Sequence, residues 1–105
     1  MTLKIYSFVI DTLKLLAPMM RVIASHDLDL ARQMRRAASS IALNIAEGAG
    51  NDGGNRRLRF RTALGSAKET RACLDVADAL GYLAVDAVMI DRLDRIAGTL
   101  HRLGH

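Results

Sequence analysis

The chain has 105 residues, half of them hydrophobic but only 4% aromatic, with a formal net charge of +4. That length predicts one domain over residues 1–105, with a core of Leu, Ile, Val, Met and Ala rather than stacked rings. A single cysteine, Cys73, excludes an intrachain disulfide, and no apolar run approaches the ~20 residues of a membrane span.

Ile5, Phe8, Val9, Thr12, Leu15, Leu16, Met19 and Ile23 recur at three-to-four spacing and predict an amphipathic helix from Leu3 to about Ala24. Pro18 falls inside it and is expected to bend it near Leu15–Ala17. Asp11 and Lys14 interrupt the apolar opening, which argues against a secretory signal and leaves the cytoplasm as the expected compartment. Asp27 is placed to cap a second helix, Leu28 to Glu47, with Leu30, Met34, Ala37, Ala38, Ile41, Ile45 and Gly48 along its apolar stripe.

Gly48–Gly54 holds four of the eight glycines and predicts a loop, after which Asn55 is expected to cap a third helix. That helix, Arg56 to Leu80, is expected to keep Phe60, Ala63, Leu64, Ala67, Thr70, Cys73, Leu74, Ala77 and Leu80 on one face and to stop at Gly81. Asp86 opens a last helix to about Leu103, with Met89, Leu93, Ile96, Ala97 and Leu100 expected to face inward. Four helices joined by short connections predict an all-α fold, an antiparallel up-down-up-down four-helix bundle.

Few of the residue patterns that carry chemistry survive inspection. Gly48-x-Gly50-x-x-Gly53 spells a dinucleotide-binding glycine pattern, but a helix precedes it where a strand is required. His101 and His105 share a helix face without an evident third ligand, so no metal site is expected. Cys73 has an inward phase and reads as a core thiol, and His26 as a surface or capping residue. Ser39, Ser40 and Ser66 lack a histidine–carboxylate pairing and read as small contact residues. No catalytic residue, cofactor or small-molecule substrate is expected, and the chain reads as a non-enzyme.

Charge is uneven along the chain, and residues 55–81 carry six bases against three acids. Arg56, Arg57, Arg59 and Arg61, with Arg35 and Arg36, form a candidate phosphate-binding surface for RNA or DNA. The competing reading is a solvated, salt-bridged face, since no aromatic residues interleave for base stacking. Glu47 opposes the macrodipole in the last turn of its helix, so a donor is expected beside it from Arg61, Lys68 or a loop N–H. Asn44, one turn earlier, is expected to join that network or brace the loop.

Arg35-Arg36-Ala37-Ala38-Ser39-Ser40-Ile41, Asn44-Ile45-Ala46-Glu47-Gly48, Phe60, Ala63-x-Gly65-Ser66-Ala67-x-Glu69 and Leu80-Gly81-Tyr82-Leu83 together resemble a bacterial family. It is the family of four-helix-bundle proteins encoded by intervening sequences in 23S ribosomal RNA genes. The accessory variability proteins of diversity-generating retroelements look similar. The resemblance is detailed over Leu30–Leu83 and extends to the layout of the whole chain. It implies a bundle that assembles into a ring, most often a homopentamer with a central channel. In the retroelement branch it also implies binding of nucleic acid or ribonucleoprotein through basic surfaces. For the motif-matching Arg35, Arg36, Asn44, Glu47, Gly48, Gly65, Ser66 and Glu69 it implies a mainly structural role, in loop bracing and close helix contact. The Gly-Asn-Asp-Gly-Gly stretch after Gly48 and Pro18 in the first helix depart from the family pattern. A structural or protein-interaction scaffold without nucleic-acid binding is the alternative function.

Overall fold

A computed structural model describes residues 4–105, and the expected start at Leu3 lies outside them. Four helices follow in order: α1 (Lys4–His26), α2 (Leu28–Ala49), α3 (Gly53–Ala79) and α4 (Ala87–Gly104). They form a rod 42 × 24 × 20 Å, its length close to the ~40 Å that a helix the size of α3 spans. The described residues contain no strand.

Each junction has a local cause. The Asp27 carboxylate accepts the Leu30 N–H at 3.0 Å and starts α2. Asp86 does the same for α4 through the Met89 N–H at 2.8 Å. Gly81, at φ +78°, ends α3: its N–H bonds to the Asp78 carbonyl at 3.0 Å and the Tyr82 N–H reaches back to Ala77 at 2.9 Å. These are the paired bonds of a Schellman motif, with glycine taking the left-handed position. α1 is continuous through Pro18, so the ring does not end the helix.

The glycine-rich connection differs from expectation. α2 continues to Ala49 and α3 begins at Gly53, so only residues 50–52 lie outside helix. Asn55 is inside α3, and the N-cap position falls to Asp52, whose side chain makes no capping bond. Gly53 supplies the reason at φ +56°: it lets the chain turn abruptly and enter a helix at once.

α2 and α3 share the longest seam, α3–α4 and α1–α2 pack beside it, and α1 touches α4 only lightly. Met34, Ile41 and Ile45 of α2 meet Phe60 and Leu74 of α3 in the core, with Leu16 and Ile23 of α1 and Leu93, Ile96 and Leu100 of α4 around them. Alanines at Ala38, Ala63, Ala67 and Ala77 keep the backbones close. Two α1–α4 contacts escape any local pattern. The Arg92 guanidinium donates to the buried Thr12 hydroxyl at 3.0 Å and lies 4.1 Å from the Phe8 ring centre.

A methyl group at Gly48 would stand 2.9 Å and 3.1 Å from Phe60 ring carbons and 3.2 Å from the Arg59 Cβ. Gly48→Ala is therefore expected to destabilise the protein by about 1–3 kcal/mol through overpacking. Gly54→Ala, with nothing within 4 Å of the added carbon, is expected to stabilise it by roughly 0.4–1 kcal/mol. Urea denaturation of the two variants checks both signs.

Candidate nucleic-acid interface and the helix seam beneath it

Small polar side chains tie α2 to α3 at mid-length. The Ser66 hydroxyl donates to the Ser40 hydroxyl at 2.9 Å. The Asn44 amide donates to the same oxygen at 2.9 Å and to the Ser40 carbonyl at 2.9 Å. Ser40 and Ser66 can meet because neither projects further than a hydroxyl, and Asn44 lies one helical turn from Ser40. Asn44 thus serves the seam and not the loop.

One end of this seam closes at Gly48. Phe60 is fully buried there, and the Arg56 guanidinium lies 5.1 Å from its ring centre. Arg56 also reaches the Gly48 carbonyl at 3.4 Å, a long bond. The Asn51 amide donates to the Glu47 carbonyl at 2.7 Å, and the Gly50 and Asn51 N–H groups take the Glu47 and Gly48 carbonyls at 3.2 Å. The expected donor for the Glu47 carboxylate is absent among the described residues: Glu47 is exposed and forms no ion pair. Compensation at this helix end falls on the backbone carbonyls, where the partial negative charge resides.

Gly65 and Glu69 face outward, and an added methyl at Gly65 would meet nothing within 4 Å. Close helix contact within the chain is therefore made at Gly48 and Gly104, not at Gly65. Glu69 forms no ion pair among the described residues, but together with burial, the larger cause, its charge holds the Cys73 thiol above its ordinary range. Cys73 is buried, in line with the core reading.

The six arginines do not form one patch. Arg35 and Arg36 line a shallow groove on the outer side of α2 with Ser39 and Leu43. Arg57, Arg59 and Arg61 sit near the start of α3, beside the level of Gly48. Arg36 lies twelve residues back along α2, about 18 Å at the ~1.5 Å helical rise. Arg56 is half-buried and committed to Gly48 and Phe60. The stem of Arg61 lies against Gly104, where a methyl would come within 2.8 Å of its Cγ.

The expected salt-bridged face is not there. The ion pairs among the described residues are Lys14–Asp11, Arg71–Asp75 and Arg71–Asp94, and none involves the six arginines. Residues 53–68 hold five bases and no acid, whereas residues 72–91 hold four acids and no base. α3 has no acid in its first turn and no base in its last. Its charges thus run against its own macrodipole at both ends.

Other sequence candidates fall elsewhere. His101 and His105 stack at 4.4 Å on the exposed end of α4. His26 ends α1 and stacks on Tyr82 at 5.1 Å. Tyr82 is a residue whose role the sequence pattern did not reveal: its hydroxyl donates to Asp27 at 3.2 Å, tying the α3–α4 turn to the start of α2. Desolvation, the Asp27 charge and this bond all hold its phenol above the ordinary range. No cluster of three or more His, Cys, Asp or Glu side chains that could hold a metal occurs among the described residues.

A four-helix protein with a small-residue polar seam and unpaired surface arginines is the class that this geometry defines. The family model of the 23S rRNA-intervening sequence proteins matches residues 3–102. The chain belongs to that family. No curated protein and no solved structure matches it.

Ser66→Ala leaves Ser40 and Asn44 without their cross-helix partner and is expected to cost about 1 kcal/mol in urea denaturation. The Cys73 thiol is expected to resist an aromatic disulfide reagent in the folded protein and to react fully after denaturation. Rapid reaction in the folded state would show that the α3 core face opens.

Proposed function

We propose that the chain is a non-enzymatic bundle protein of the cytoplasm that assembles with copies of itself. It offers a basic surface to RNA or DNA, alone or within a ribonucleoprotein. The observation that carries this reading is the set Arg57, Arg59 and Arg61, exposed and without a carboxylate partner among the described residues. An arginine already paired must give up its partner to bind phosphate, whereas these three are ready for bidentate contact. The segment 53–68 that carries them holds five bases and no acid, which outweighs the neighbouring Glu47 and Asp52 and leaves a local positive field.

Self-assembly rests on a separate observation. Leu43, Leu58, Leu80 and Val88 are each more than half exposed, at 68%, 55%, 58% and 67%. Leu80 and Val88 flank the same α3–α4 turn, and apolar exposure concentrated there supports a further contact surface. In a homopentamer, the assembly that the family resemblance implies, each modest basic patch recurs and the patches act together by multivalency. The same apolar faces favour the second reading, a protein-interaction scaffold without nucleic acid.

No helix among the described residues is long and apolar enough to cross a membrane. The test is titration of labelled structured RNA and single-stranded DNA at increasing salt. Binding is expected to weaken steeply. Arg57→Ala with Arg59→Ala is expected to lower the logarithmic salt slope by roughly 0.7–0.9 for each phosphate that the variant no longer neutralises. Absence of binding at low salt overturns the nucleic-acid reading, and a stable monomer at micromolar concentration overturns the assembly reading.

A further inference from the structure

Between α1 and α2 the surface opens into a groove floored by Ala17, Met20 and Ala24, with Arg21, Arg32 and Arg35 around it. Leu28, half exposed, adds to its apolar wall. None of the three guanidiniums forms an ion pair among the described residues. The α3–α4 turn has the opposite character. Leu80 and Val88 are largely exposed there, amid the exposed carboxylates of Asp78, Asp86 and Asp91. Asp78 and Asp86 accept only backbone N–H groups, from Val85 and Met89. Asp91 has no ion-pair partner among the described residues.

The two surfaces match in kind: apolar against apolar, three guanidiniums against three carboxylates. They also lie at one end of the rod, since the Tyr82–Asp27 bond ties the α3–α4 turn to the α1–α2 turn. The groove lies between α1 and α2 and the carboxylates lie on α3 and α4, and no ion pair joins the two sets among the described residues. We propose that the Arg21–Arg32–Arg35 groove receives the acidic α3–α4 corner of a second copy. This rests on the self-assembly reading above and says which surfaces make the contact.

Two different patches on one molecule give a heterologous, head-to-tail contact, which closes into a ring if the rotation permits. With both patches at the same end, parallel bundle axes let neighbouring rods overlap along their full length. An antiparallel pair would overlap only at the tips. Every copy then points the start of α3 the same way. Arg57, Arg59 and Arg61 of all copies gather on one face of the assembly, and the acid-rich ends gather on the other.

Charge reversal in solution, read by light scattering, tests this. Arg21→Glu with Arg32→Glu makes the groove acidic, and Asp78→Arg with Asp91→Arg makes the corner basic. Each pair alone is expected to weaken association at least tenfold, with helical circular dichroism unchanged. All four substitutions together are expected to recover association, because the complementarity is restored with its signs exchanged. If the wild type assembles and the groove variant keeps its full molar mass, the proposal is overturned while self-assembly stands. If the wild type is itself monomeric, both fall. The groove variant is decisive alone should Asp78, which holds the Val85 N–H, not tolerate reversal.

Discussion

The close approach of α2 to α3 at Gly48 is the constraint on which the remaining geometry depends. Phe60 occupies the space that any side chain at position 48 would fill. With the ring fully buried there, the register of the two helices is set. Ser40 then falls opposite Ser66 and bonds to it across the seam. The same register leaves the Gly48 carbonyl within reach of Arg56, which covers the ring as a cation. A buried aromatic ring contributes both area and shape, and interior packing is dense enough that one methyl group is felt.

Helix starts and stops were legible where one side chain acts on its own neighbourhood. Asp27, Asp86 and Gly81 do what their chemistry dictates within three or four residues, and the structure places each as expected. The glycine-rich connection was not legible in that way. Glycine permits a loop but also permits an abrupt left-handed turn into a helix, and Gly53 takes the second course. Reading seven residues as loop misplaced the cap from Asp52 to Asn55. The Glu47 expectation failed for a different reason. A charge at a helix end implies a local field but does not say whether the side chain or the carbonyls will find the donor, and an exposed carboxylate is satisfied by solvent.

The candidate site was half legible. Residue type and spacing identified the arginines, but which of them are free depends on contacts far apart in sequence. Arg56 is held by Gly48, and the stem of Arg61 packs on Gly104 near the far end of the chain. The Arg92 contact with Thr12 and the Tyr82 contact with Asp27 join residues 80 and 55 positions apart. No periodicity encodes such pairs. Residue type marked Ser40 and Ser66 as small contact residues and Asn44 as a bracing amide, yet only the fold shows that the three meet at the Ser40 hydroxyl.

Charge along α3 separates the demands of stability from those of function. Favourable helix electrostatics puts acids in the first turn and bases in the last, each worth roughly 0.3–1 kcal/mol. α3 does the reverse, with Arg56 and Arg57 near its start and Asp75 and Asp78 near its end. The helix tolerates this because its stability comes from the buried face that includes Phe60, Ala67 and Leu74. Helix stability therefore does not explain the charge order. An external anion would: it would meet the unpaired arginines and the positive dipole end together, so two unfavourable terms within the chain become favourable in the complex. Along α3 itself the acids near the far end would repel the same anion, so the first turns are the favoured place on this helix.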